Sequence, residues 1–106
     1  MIYNGYELKP KADLTGAVIE NIDLTGIDLS GSDLRGSIFY NVDLSLANLS
    51  GTNLTGANFY RVDLFGADLS ESILDDVQSS SLFSSETVIF EKTLAIIFSF
   101  NPFLIN

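Results

Sequence analysis

The sequence predicts an all-β solenoid, a chain wound into a coil of four short faces and about 3.25 turns long. Three observations carry that prediction. A five-residue unit, A-(D/N)-L-x-G in its cleanest form, runs without a break from Ala12 to about Asp76. The units that depart from this form recur every twenty residues, which is four times five. The 106-residue chain also has no cysteine and no histidine, so no disulfide framework or thiolate or imidazole site competes to explain the pattern.

Residues 1–11 precede the array. Asn4-Gly5 sits between Ile2-Tyr3 and Tyr6-Glu7-Leu8, and an Asn-Gly pair flanked by apolar and aromatic residues is a signal for a two-residue hairpin. A hairpin-like cap is therefore expected at the front of the coil, because an open solenoid leaves strand edges and apolar ends that need covering. The segment has no apolar run of signal-peptide length, which sets the expectation of a cytoplasmic protein.

The array occupies residues 12–76. Its thirteen units are centred on Leu14, Ile19, Leu24, Leu29, Leu34, Phe39, Leu44, Leu49, Leu54, Phe59, Leu64, Leu69 and Leu74. Two residues before each centre stands a small or β-branched residue, from Ala12 to Ser72. A period of five fits neither the 3.6 of a helix nor the 2 of a long strand, so the chain must turn at every unit. Gly at the last position of seven units supplies a permissive backbone for that turn.

The unusual units AVIEN, SIFYN and ANFYR begin at Ala17, Ser37 and Ala57. Their spacing places residue n over residue n+20, stacked roughly 4.8 Å apart like neighbouring strands. The interior then reads as four ladders. Leu14, Leu34, Leu54 and Leu74 line the first face; Ile19, Phe39 and Phe59 the second; Leu24, Leu44 and Leu64 the third; Leu29, Leu49 and Leu69 the fourth.

This pattern resembles the pentapeptide-repeat family over about 60% of the chain. The resemblance implies a right-handed quadrilateral β-helix with the central and i−2 side chains inside. It also implies a bacterial, notably cyanobacterial, setting. It implies no particular activity, although some members inhibit or protect DNA gyrase as acidic mimics of duplex DNA. The array is short for such mimicry, because its coils span roughly 15 Å, against about 34 Å for one turn of DNA.

Beyond Asp76 the register is expected to fail, since Gln78-Ser79-Ser80-Ser81 puts serine where a large apolar centre belongs. A loop over 77–86 and an apolar cap or oligomerisation tail over 87–106 follow from the composition. A short helix begun near Ser85 is favoured there, with a strand as the alternative because of the β-branched residues. The tail either packs on the last coil or forms a subunit interface; Phe98, Phe100, Phe103 and Leu104 are the candidate dimer residues, making the protein a monomer or a weak homodimer through a terminal face. Its most apolar stretch, Thr93 to Phe100, falls far short of the roughly 20 residues that span a bilayer, so no membrane partner is expected.

A net charge of −9 points at first to an acidic mimic or a cation site. Seven of the 14 acids, however, occupy one position of the repeat: Asp13, Asp23, Asp28, Asp33, Asp43, Asp63 and Asp68. Without them the chain carries only −2. Asn48, Asn53 and Asn58 stand at the same position, so a role both side chains fill, hydrogen bonding to the corner backbone, is expected of it. The competing reading is a column of Asp23, Asp43 and Asp63 holding a hard cation; no metal or other cofactor is assigned.

Five basic residues make no nucleic-acid footprint, and a filled coil offers no pocket for an acid–base pair, so neither direct nucleic-acid binding nor catalysis is expected. The stacked serines Ser30, Ser50 and Ser70 lack any base to activate them. The candidate partner surface is the second face, where Ile38, Tyr40 and Tyr60 form an outward stripe ended by Arg61, with Phe65 on the neighbouring third face. Stacked tyrosines also stabilise a sheet on their own account, which is the alternative reading. The expected function is a non-catalytic structural or protein-interaction module, with the gyrase-directed DNA mimic as the alternative.

Overall fold

The computed structural model describes residues 1–80. The expected front cap is a hairpin: β1 (Ile2–Tyr3) pairs antiparallel with β2 (Tyr6–Glu7), and Asn4 and Gly5 between them have φ of 46° and 82°. Positive φ at both central residues is what a type I′ turn requires. Tyr3 then reaches the first coil, its hydroxyl donating to Glu20 O (2.9 Å) and accepting from Glu20 N (3.1 Å). Those are edge groups of the following sheet, so the hairpin closes the front of the solenoid with a side chain.

The second face is a four-stranded parallel sheet of β3 (Val18–Asp23), β4 (Ile38–Asp43), β5 (Asn58–Tyr60) and β6 (Gln78–Ser80), in that order. Its register is the twenty-residue step: Ile19 pairs with Phe39, and Phe39 with Phe59. β3 and β4 continue round the corner into the third face, where Ile22 pairs with Val42 and Asp23 with Asp43; elsewhere the faces make single parallel bridges at the same spacing, such as Asp13 with Asp33 and Asp28 with Asn48. Backbone bonds tie each coil to the next, for example Leu14 N to Asp33 O (2.8 Å) and Leu34 N to Asn53 O (2.7 Å).

The serine-rich sequence after Asp76 predicts the end of the coil there, with a loop over 77–86. The coil instead continues through Ser80, as β6 pairs in register with β5 and Gln78 N donates to Ala57 O (2.9 Å). Parallel pairing is made by backbone groups, which serine supplies as well as leucine does, and the buried Val77 keeps the i−2 position apolar. The cap or tail expected over 87–106 lies outside the described residues.

All thirteen array centres are buried, with Ile19, Leu29, Leu34, Phe39, Leu44, Leu49 and Leu54 at 0% exposure. The i−2 residues are inside as well, except that Ile22 and Ile27 are half-buried. Each unit ends in a left-handed residue. Gly16, at φ 70°, is the third residue of a turn closed by Ala17 N donating to Leu14 O (3.0 Å), the geometry for which type II turns favour glycine. Asn21, Asn41, Leu46, Arg61, Glu71 and Asp76 adopt the same conformation without that freedom. Leu46 is the bulkiest apolar side chain among them; it is 60% exposed, and its Cδ2 lies over Gly66.

Polar i−2 residues are mostly satisfied internally. Ser32 Oγ accepts from Ala12 N (3.0 Å) and donates to Lys9 O (3.1 Å), and Thr52 Oγ1 donates to Leu49 O (2.8 Å). Ser37 is the exception: its hydroxyl is buried without a partner, in a column whose neighbours are Ala17 and Ala57. Removing an unsatisfied buried hydroxyl removes its desolvation cost. Ser37→Ala is therefore expected to raise the stability measured by urea unfolding by about 1 kcal/mol.

Candidate functional site: the second face and its corner

The repeat aspartates turn back onto their own corners. Asp23 Oδ1 accepts from Thr25 N (2.9 Å), Asp28 Oδ1 from Ser30 N (2.9 Å), Asp43 Oδ1 from Ser45 N (2.9 Å) and Asp68 Oδ1 from Ser70 N (2.9 Å). Asn48 and Asn53 make the same bond to Ser50 N (3.0 Å) and Thr55 N (3.1 Å). A hydroxyl two residues on often donates to the same oxygen, as Ser45 Oγ does to Asp43 (2.6 Å) and Ser50 Oγ to Asn48 (2.6 Å). This is the corner bonding expected from the exchange of Asp and Asn.

These donors favour the charged carboxylate. The carboxyls of Asp23, Asp28 and Asp68 are held below their ordinary value by the side chains of Thr25, Ser30 and Ser70 first and by the backbone N–H of the same residues second. Asp33 is lowered chiefly by its side-chain bond to Arg35. A carboxyl lowered on folding stabilises the fold above its unfolded pKa and loses that contribution as pH falls through the folded value. The melting temperature is thus expected to drop as pH is lowered below about 4, despite the relief of acidic repulsion. A melting temperature that rises over that range contradicts the corner assignment.

The same bonding sets a mutational expectation. Asp43→Asn keeps the acceptor and should change stability by less than about 0.5 kcal/mol. Asp43→Ala orphans two donors and should cost about 1 kcal/mol in denaturant unfolding.

The second face differs from the other three. Its outward positions before the centre are Val18, Ile38, Asn58 and Gln78, none of them charged, whereas every other face carries aspartates there. Val18 is 44% exposed and Ile38 41%. After the centre come Glu20, Tyr40 and Tyr60, and the two tyrosine rings stack with centroids 4.9 Å apart and planes at 5°. Beneath them Phe39 and Phe59 pack inside at 5.2 Å. The expected stripe of Ile38, Tyr40 and Tyr60 is thus contiguous, and Val18 extends it by one coil.

At the corner with the third face, Asn41 Nδ2 donates to Asn21 Oδ1 (3.0 Å), and Arg61 takes the next place in that column. Asn21, Asn41, Arg61 and the stacked Asp23, Asp43 and Asp63 line a shallow recess of about 420 Å³. Among the described residues, no group of three or more acidic, cysteine or histidine side chains is arranged to hold a metal ion. Phe65 does not join the tyrosine stripe. It lies beyond Asp63 on the third face and accepts through its carbonyl from Leu46 N (2.7 Å), so Phe65 and Leu46 make a separate exposed apolar spot. Phe98, Phe100, Phe103 and Leu104 lie outside the described residues. The contact of Tyr3 with Glu20 carries no signal in the sequence, because seventeen residues separate them and no local motif links them.

The geometry defines a class, a four-faced repeat coil with a filled interior. The chain belongs to the pentapeptide-repeat family, whose model, pentapeptide repeats, matches residues 12–51 and 43–77. No curated protein matches it. Among solved structures it is similar to Rfr23, a pentapeptide repeat protein from the cyanobacterium Cyanothece 51142, at 28% identity and a TM-score of 0.54, covering 66% of this chain and 51% of that one. A pentapeptide repeat protein of the Arabidopsis thaliana thylakoid lumen shares the fold at 23% identity and a TM-score of 0.63, covering 85% of this chain and 59% of that one. QnrB1, a plasmid-mediated fluoroquinolone resistance protein, matches at 26% identity and a TM-score of 0.51 over 65% of this chain and 35% of its own length. The chain thus spans between about a third and three fifths of the structures it matches.

Proposed function

We propose that this chain is a non-catalytic protein-interaction module and that the second face is its contact surface. The observation that carries the reading is the absence of the repeat's acids there, their positions taken by Val18, Ile38, Asn58 and Gln78, beside the exposed Tyr40 and Tyr60. Contact cores are depleted in charge and enriched in tyrosine and arginine. Stacking already fixes Tyr40 and Tyr60, so binding has less side-chain entropy to lose.

A photo-crosslinking amino acid at position 40, compared with one at position 50 on the fourth face, tests this in cells expressing the full chain. Discrete adducts from position 40 and none from position 50 are expected. Equal labelling from both, or none from either, would overturn the reading.

A second reading is the acidic mimic of duplex DNA directed at gyrase, and the similarity to QnrB1 favours it. Against it stand the short array and carboxylates engaged with their own corners. A supercoiling assay decides: neither inhibition nor protection of gyrase by a micromolar excess removes the mimic.

A further inference from the structure

We propose that the second face pairs with the second face of another copy of this chain, the two solenoids running antiparallel about a two-fold axis along β4. The inference rests on the interaction reading above and supplies its partner. It begins from the distribution of charge. A chain of net charge −9 repels its own copies, and the first, third and fourth faces each carry at least two repeat aspartates. The second face carries none, so it is the face two copies can bring together at the least electrostatic cost.

The charges that remain on this face are complementary under that rotation. Glu20 lies one coil before Tyr40 in the stacked register, and Tyr60 with Arg61 one coil after it. Both Glu20 and Arg61 are exposed, and neither forms an ion pair among the described residues. A two-fold axis along β4 keeps the position along the strand and reverses the order of the coils. It lays Tyr40 on Tyr40, Ile38 on Ile38, Val18 on Asn58, and Glu20 of each copy on the Tyr60–Arg61 corner of the other. The contacts of Val18 with Asn58 and of Glu20 with the Tyr60–Arg61 corner occur twice and those of Tyr40 and Ile38 with their own copies once, on the axis, as an isologous interface requires. A parallel arrangement reverses the strand direction and lays Glu20 on Val18, leaving both charges unmatched.

The surface is small. Three rows spaced about 4.8 Å and about three residues wide present on the order of 200 Å² per copy, against about 800 Å² in a standard interface. The pairing is therefore weak and favoured where local concentration is high.

Sedimentation velocity of the full chain up to several hundred micromolar tests it, with Glu20→Arg and Arg61→Glu as probes. Both sites are exposed, and Glu71 already occupies a corner of the same left-handed conformation as Arg61, so both variants should fold. Each reversal alone is expected to weaken self-association at least about tenfold. Mixing the two variants should restore it, since the introduced base of one copy then meets the introduced acid of the other, and the unchanged Arg61 of the first meets the unchanged Glu20 of the second. A crosslinker at position 40 of the purified chain should link two copies.

Sedimentation as a monomer throughout, by the wild type and the mixture alike, overturns the proposal. So does association indifferent to both reversals. Linkage from position 40 only to residues 81–106 of the same chain also overturns it and makes that segment the occupant. If the purified chain is monomeric while position 40 still forms adducts with another protein in cells, the pairing fails and the interaction reading stands; absence of any adduct removes both.

Discussion

Phe39→Ala is expected to cost about 3–5 kcal/mol. The ring is fully buried in the second coil, pairs in register with Ile19 before it and Phe59 after it, and packs on Phe59 at 5.2 Å. Backbone bonds hold the coils at fixed spacing, so the wall cannot collapse into the space left behind, and the loss approaches the upper part of that range. In a solenoid each coil contacts only its neighbours, so a cavity at the middle weakens both interfaces at once. Urea unfolding followed by circular dichroism should show one transition at a much lower midpoint. A loss under about 1 kcal/mol would mean that Phe39 is not between the two coils.

Leu49→Asp should abolish cooperative folding. Leu49 is fully buried between Leu29 and Leu69 on the fourth face, and a carboxylate there enters an apolar core. An unpaired buried charge costs more than the roughly 5–15 kcal/mol that holds a small domain together, unless the group neutralises or the coil opens. Leu49→Met, which keeps the volume, should lose less than about 1.5 kcal/mol and separates the effect of charge from that of substitution. A soluble, folded Leu49→Asp protein with an unchanged melt would place residue 49 outside.

The contrast with Ser79 explains what is legible in the sequence. A large apolar centre every five residues, with a superposed period of twenty, assigns the faces because inward and outward positions alternate rigidly in a closed coil. The same reasoning ends the coil at Asp76, since it treats an apolar centre as the requirement for pairing. Ser79 shows that the requirement is weaker at the last described strand, where backbone bonds to β5 and the buried Val77 suffice. The corner role of the aspartates is readable from their exchange with asparagine. The stripe of Ile38, Tyr40 and Tyr60 is readable from register, and so is the place of Phe65 on the neighbouring third face. The pattern does not show that Tyr3 closes the front edge, because that contact joins a hairpin to a coil seventeen residues on.

One comparison separates the corner role of the acids from the proposed contact role of the second face. With the crosslinker fixed at position 40 in cells, Asp23→Asn/Asp43→Asn/Asp63→Asn is set against Tyr60→Ser/Arg61→Ser. The triple variant keeps every corner acceptor and takes the net charge from −9 to −6, so adduct yield should stay within about twofold. The face variant should lose at least about tenfold. Loss of adducts in the triple variant with retention in the face variant would return function to the acidic columns.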